Sequence, residues 1–319
     1  MRNPVGLFFS ARCLPMNPYP KRILTIPQQL QSYTDAGMTI SSVEEATAAL
    51  TTIGYYRLRG YSFHLYDNAS RQYRLGTDFS DILNLYHFDT ELSRLLFGMA
   101  TCIEVALRAR LSDALLTYND ALILTDPAVF SDKKLFWQNL SSLASQITRS
   151  NDVFIRHNFQ NHDGEIPLWA AVEVMSFGTL SKTIKNLKTG KGSAYPVLAR
   201  YYCYRSPRGK LVKPSLQMLS SWIQSVSVLR NMCAHNSRIY NRTINTFPEL
   251  LIVDQLTPKP LHNGLYQILL AMKYLRPTDE IWQDFYGDLQ SLFDRYKGFF
   301  DFSCMNFPSD WTAHLKIDA

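Results

Sequence analysis

Residues 81–118 read DILNLYHFDTELSRLLFGMATCIEVALRARLSDALLTY. Leu85, Phe88, Leu92, Leu95, Leu96, Met99, Ile103, Ala106, Leu107 and Leu111 fall three and four apart, the spacing of an apolar stripe along one continuous helix. No other helical pattern in the chain is as long. Glu104 and Arg108 stand four apart on it, the spacing of a supporting ion pair. On both sides of this stretch leucine and alanine recur at helical spacing, and alternating strand patterns are scarce. The fold expected is all-α. It comprises a small N-terminal helical unit over residues 21–78, a larger helical bundle over 79–298, and a tail, 299–319, packed on the bundle. Residues 1–20, with Pro4, Pro15, Pro18 and Pro20, read as a loose leader, and Met16 is a second candidate start.

Toward the N-terminus, Gln28–Ala36 predicts a short helix stopped by Gly37. Ser42-Val43-Glu44-Glu45 is a capping-box pattern opening a helix through Ala46, Ala49, Leu50 and Ile53 to Gly54. Tyr55–Tyr61 is aromatic and basic, a bent connector or a short helix. Toward the C-terminus, Asn119–Phe130 reads as a loop and Lys134–Thr148 as a helix. A polar region, Arg149–Gly164, then precedes a helix over Pro167–Ser176. Gly178 breaks the pattern before a basic helix, Leu180–Leu187. Pro214 suits the first turn of a central helix whose stripe is Leu216, Leu219, Ile223, Val226 and Leu229. Its serines, Ser220, Ser221, Ser225 and Ser227, either meet solvent or let another helix approach closely. Thr243–Gly264 reads as a loop, and His262–Tyr274 and Asp279–Tyr296 as closing helices.

The chain has 319 residues, 46% hydrophobic and 13% aromatic, which fits a folded protein. No apolar run reaches the ~18 residues of a spanning helix. Val5–Phe9 is shorter than the ~7–15 residues of a signal-peptide core. A soluble, cytoplasmic protein with no membrane partner is therefore expected. Five cysteines are scattered without metal or redox spacing, as in reduced cytosolic proteins. Charge is unevenly spread. The chain carries 33 basic and 27 acidic residues, yet Val174–Pro248 holds twelve Lys/Arg and no Asp or Glu. Taking those twelve away leaves 21 basic against 27 acidic elsewhere, net −6. An acid-free basic segment suits an anionic partner such as RNA.

Inside that segment lies Leu229-Arg230-Asn231-Met232-Cys233-Ala234-His235-Asn236-Ser237-Arg238-Ile239-Tyr240-Asn241-Arg242. Arg230 and His235 are five apart, about 140° around an unbroken helix, whereas Asn231 and His235 share a face. A helix terminus near Ala234 would let the three converge. An imidazole shuttles protons near neutral pH, and a guanidinium holds phosphate and stabilises the charge of a phosphorane. RNA brings its own nucleophile, the 2′-OH, so cleavage there needs a base, an acid and charge stabilisation, with no metal. The spacing is equally that of a capping or solvated histidine at a helix end.

Beyond spacing, Arg230-Asn231-x-x-x-His235 resembles the Arg-x4-6-His signature of the HEPN (higher eukaryotes and prokaryotes nucleotide-binding) ribonuclease superfamily. More closely, the chain resembles the AbiD/AbiF-type abortive-infection proteins of bacteria. The blocks carrying this resemblance are Ile53–Tyr61, Leu85–Asp89, Ile103–Arg108, Trp169 with Glu173, Ser176–Ser181, Leu229–Arg242 and Met305–Trp311, in the family's order from about residue 21 onward. The resemblance implies a HEPN-type helical domain over 79–298 and metal-independent endoribonuclease activity. It further implies a site shared across a homodimer, a 2′,3′-cyclic phosphate product, and toxin-like antiviral defence against phage. It gives His235 the role of general acid/base, Arg230 that of phosphate clamp and Asn231 that of orienting either group. It also places Glu104 and Arg108 behind the site. Lys182, Lys185, Lys188, Arg238, Arg242 and Tyr240 are then the expected RNA-binding residues. A structured non-coding RNA is a further expected partner, and no cofactor or metal is called for. The alternative is a non-catalytic RNA-binding or antitoxin-like module using the same basic face.

Two other signals fail on inspection. Thr189-Gly190-Lys191-Gly192-Ser193 lacks the upstream glycine and the Ser/Thr of a phosphate loop, since Lys185 and Gly192 stand at those positions. His157, His162 and Asp163 have no further Cys or Glu to complete a ligand set.

Overall fold

The computed structural model describes residues 23–255, 260 and 262–317, and the leader, residues 1–20, lies outside them. Among the described residues thirteen α-helices and two minimal hairpins are present, an all-α architecture. The chain divides into two compact units, residues 1–84 and 85–319.

In the first unit, α1 (Ile26–Asp35), α2 (Val43–Thr52) and α3 (Tyr55–Ser62) precede a hairpin of β1 (Tyr66–Asp67) and β2 (Gln72–Tyr73), paired Tyr66 to Tyr73. The Ser42 hydroxyl accepts the Glu45 amide at 3.2 Å, which supplies half of the expected capping box. Gly54 sits at φ +93°, a left-handed value that glycine adopts without a Cβ clash, so α2 and α3 meet at a sharp corner. Tyr33 is fully buried, its ring 5.3 Å from Tyr55, 6.1 Å from Tyr73 and 5.4 Å from Phe79. Arg59 lies 4.8 Å over the Tyr66 ring and donates to the Tyr73 hydroxyl at 3.0 Å. The Tyr55–Tyr61 block is thus a packed helix, although Tyr56 faces solvent.

The long helix, α4, runs Phe79–Leu115 and continues as a 3-10 turn to Tyr118. Eight of its ten predicted stripe residues are buried, Leu85, Phe88, Leu92, Leu96, Met99, Ile103, Leu107 and Leu111, while Leu95 and Ala106 are half-buried. The second unit adds α5 (Lys133–Arg149), α6 (Val153–Asn161), α7 (Leu168–Val174), α8 (Phe177–Lys185) and the short α9 (Tyr195–Leu198). A hairpin, β3 (Tyr204–Arg205) with β4 (Leu211–Val212), leads into α10 (Leu216–Ala234). Then come α11 (Leu265–Leu275), α12 (Asp279–Arg295) and α13 (Trp311–Leu315).

The centre of this unit is α10, which packs on α8 and α11. Nearly every residue of α11 is buried, as expected of a helix that is apolar all round. Ser220, Ser225 and Ser227 are buried too, so these small side chains admit neighbouring helices closely and do not meet solvent. The tail closes over α11 and α12. The Trp282 indole donates to the Leu315 carbonyl at 2.9 Å, and the Tyr286 hydroxyl to Thr312 at 2.9 Å.

Three local expectations need correction. Pro214 does not start α10; Ser215 caps it, its hydroxyl accepting the Met218 amide at 3.0 Å. Gly178 does not break a helix, because Ser176 caps α8 through the Thr179 amide and Gly178 falls in the first turn. The polar stretch 149–164 contains α6, whose single buried apolar residue, Ile155, is too sparse a signal for periodicity to detect.

Candidate functional site

α10 stops at Ala234 for a local reason. Asn236 takes φ +50°, the Ser237 amide bonds the Met232 carbonyl at 2.8 Å, and the Asn236 amide bonds Cys233 at 3.0 Å. That pair of bonds around a left-handed asparagine is a Schellman ending. His235 is therefore the C-cap, its amide bonded to Asn231 at 3.0 Å and its side chain exposed. Among the described residues the imidazole has no hydrogen-bond or ion-pair partner.

Arg230, one turn earlier, is held on several sides. Its Nη1 donates to Asn231 Oδ1 at 3.3 Å, and its guanidinium lies 5.5 Å over the Phe97 ring of α4. Its Nε comes within 3.4 Å of Glu104 Oε2 but is not aligned for a hydrogen bond, so that attraction is Coulombic. Glu104 is only 4% exposed and also takes a 2.6 Å bond from Arg108 Nη2. Arg108 in turn donates to the Val172 and Met175 carbonyls at 3.0 and 2.7 Å, closing the end of α7. A carboxylate shared by two arginines thus joins α4, α7 and α10. Glu104 and Arg108 do more than the i, i+4 pair their spacing indicates, since a second guanidinium arrives from α10.

Sequence reasoning missed Asp89. This carboxylate, 2% exposed, accepts the Ile239 amide at 3.1 Å and the Tyr240 amide at 2.7 Å. It fixes the chain just beyond His235. Its one local signal was a carboxylate next to Phe88 of the apolar stripe, in turns that also carry Asp81, Asn84 and His87. Cys233, on the neighbouring turn, is buried; that burial pushes its thiol up to about 11, against a smaller opposing effect of a Ser93 hydrogen bond, so it stays protonated.

Of the expected RNA-binding residues, Lys182 and Lys185 are exposed on α8 and Lys188 is exposed just past its end. Arg242 is exposed, with Nη1 3.5 Å from the Arg238 carbonyl, and Arg238 is half-buried. Tyr240 is a correction. Its side chain is buried, edge-on to Phe88 and Phe300, with its hydroxyl donating to Asp301 at 3.2 Å. It anchors the loop and offers no face to a ligand. The His157 and His162 rings lie 5.2 Å apart, and no group of three or more His, Cys, Asp or Glu among the described residues could hold a metal.

The geometry defines an all-helical protein with a braced arginine and an open histidine at the end of one buried helix. Residues 48–241, well over half the chain, match the family described as Abi-like protein, and the chain belongs to that family. No curated protein and no solved structure matches it. Membership suggests a part in abortive infection, the defence of bacteria against phage. Among the described residues no helix is long and apolar enough to cross a membrane.

Proposed function

We propose that the protein is a cytoplasmic, HEPN-type endoribonuclease of phage defence, related to the AbiD/AbiF proteins, that cuts RNA without a metal. The observation that carries this reading is Arg230 braced by Glu104 and Phe97 one turn before a solvent-facing His235. A guanidinium drawn toward a buried carboxylate pays less ordering cost when its remaining N–H groups meet a phosphate. In the proposed reaction His235 takes the proton of a 2′-OH as its oxygen attacks the adjacent phosphorus. The P–O5′ bond breaks, and a second imidazole returns a proton to the departing 5′-oxygen. A 2′,3′-cyclic phosphate and a 5′-OH result.

One chain supplies one histidine at this site, so the second is assigned to another copy. The outer face of α4 suits such a pairing, because Gly98, Thr101, Cys102, Val105 and Ala109 are exposed and uncharged. The exposed lysines of α8, with Arg242, supply sequence-independent attraction for the RNA backbone.

The test is cleavage of RNA in EDTA. His235→Ala and Arg230→Ala are each expected to lose about 100-fold or more, the usual worth of a proton-transfer group or oxyanion donor. Equal cleavage by parent and variants removes both residues from the mechanism. One observation favours the second reading, a non-catalytic RNA-binding module: no described side chain fixes the tautomer or orientation of the His235 ring. That reading predicts salt-sensitive RNA binding with no cut product.

A further inference from the structure

Next to the segment that follows His235 in the chain there is a cavity of about 350 Å³, bounded by the Phe247–Leu250 stretch and the start of α11. Its size falls within the ~300–1,000 Å³ of small-ligand pockets. Two of the side chains lining it are deeply buried polar groups, Asn263 at 4% and Gln267 at 6% exposure. Both amides are oriented by the protein. Gln267 Oε1 accepts the Gly264 amide at 2.9 Å and Asn306 Nδ2 at 3.0 Å, which leaves Nε2 as its only donor group. Asn306 also donates to the His262 carbonyl at 2.7 Å, tying the tail to this wall. A Cβ on Gly264 would come within 2.7 Å of the Met305 carbonyl, so the close approach of the tail depends on that glycine. Asn263 Nδ2 donates to the Thr246 carbonyl, which leaves Oδ1 as an acceptor.

Neither Gln267 Nε2 nor Asn263 Oδ1 has a hydrogen-bond partner among the described residues. A buried wall thus presents one oriented donor and one oriented acceptor. Phe247 stands beside them at 71% exposure, a free aromatic face of the kind on which bases stack. Of the described residues that line the cavity, Glu249 is acidic and His262 carries an imidazole. The donor, the acceptor and the aromatic face together favour a flat ring with a donor–acceptor edge.

We propose that this cavity receives a nucleobase, stacked on Phe247 and read along its edge by Gln267 Nε2 and Asn263 Oδ1. The polar edge is independent of His235, whereas the choice of a nucleobase over another flat amide rests on the RNA reading above. A nucleobase reaches it either as a free nucleotide or as an unpaired base of bound RNA.

Equilibrium binding tests this on the full chain carrying His235→Ala, so that no probe is consumed. The probes are nucleoside 5′-monophosphates, ribose 5-phosphate, a short single-stranded RNA and the same RNA with abasic positions. Phe247→Ala removes an exposed ring. Gln267→Glu keeps the acceptor that Gly264 and Asn306 use and turns the donor into an acceptor. At least one monophosphate is expected to bind without competition from ribose 5-phosphate, and each variant to weaken it about tenfold. If monophosphates fail but intact RNA outbinds abasic RNA, and Phe247→Ala erases the difference, the base arrives within RNA. The proposal is overturned if ribose 5-phosphate and abasic RNA bind as well as their base-bearing counterparts, or if both variants bind every probe like the parent. A chain that binds bases here yet cuts no RNA refutes the nuclease reading alone.

Discussion

At the scale of single residues, Glu104 has the most depending on it. It is buried and faces Arg108 at 2.6 Å and Arg230 at 3.4 Å, so removing its charge takes the counter-ion from two guanidinium groups at once. Breaking a buried ion pair from one side costs about 3–5 kcal/mol. Glu104→Gln should fall toward the low end, because Arg108 keeps its two carbonyl acceptors. Urea unfolding measures the loss; a change below about 1 kcal/mol shows that the pair is incidental. Asp78, in the first unit, carries a pH dependence. Burial alone pushes its carboxyl up, but hydrogen bonds from the Ser41 hydroxyl and from the Ser80 and Ser41 amides outweigh that and leave it below its usual range. Its stabilisation is complete above the ordinary carboxylate value of about 4 and is lost as pH falls through the lower folded value. Ser41→Ala should therefore shift acid unfolding to higher pH, and its deficit should shrink below that range. A deficit constant across an acid titration followed by circular dichroism contradicts the assignment.

At the scale of elements, the end of α10 and the start of the following loop act together. The Schellman ending turns the chain at Asn236, and Asp89 of α4 catches it at Ile239 and Tyr240. Asp89→Ala leaves two buried amides without that acceptor, at about 1–3 kcal/mol for each unsatisfied group. Hydrogen exchange at those amides is expected to speed up with the loss of stability, while α12 stays protected. Unchanged exchange there would show that the carboxylate does not hold the loop. The same elements mark the limits of sequence reading. In the sequence, an end of α10 near Ala234 was only the condition for Arg230, Asn231 and His235 to meet, and the left-handed Asn236 supplies that end. The role of Asp89 was not legible, because its partners lie 150 residues away in the chain.

Across the molecule, the acid-free segment becomes a positive surface only where its lysines face outward, and Lys182, Lys185 and Lys188 do. Reversing all three to Glu is expected to weaken RNA binding and to lower the slope of log affinity against log salt by roughly one per lost phosphate contact. An unaltered slope in filter binding would place the RNA elsewhere. Tyr240 shows why composition could not name the contacts. It lies in the same basic stretch, yet its ring is consumed by the aromatic cluster with Phe88 and Phe300.

The amino-acid order alone determined the helical class, the buried stripe of α4 and the segregation of charge. Each depends on side chains within a few turns of one another, where periodicity and capping act directly. Tertiary structure decided that Glu104 answers a second arginine, that Asp89 tethers the loop after His235, and that two amides line a cavity beside Phe247. Those are meetings between distant segments, and only close packing of the helices sets which polar groups face one another at hydrogen-bonding range.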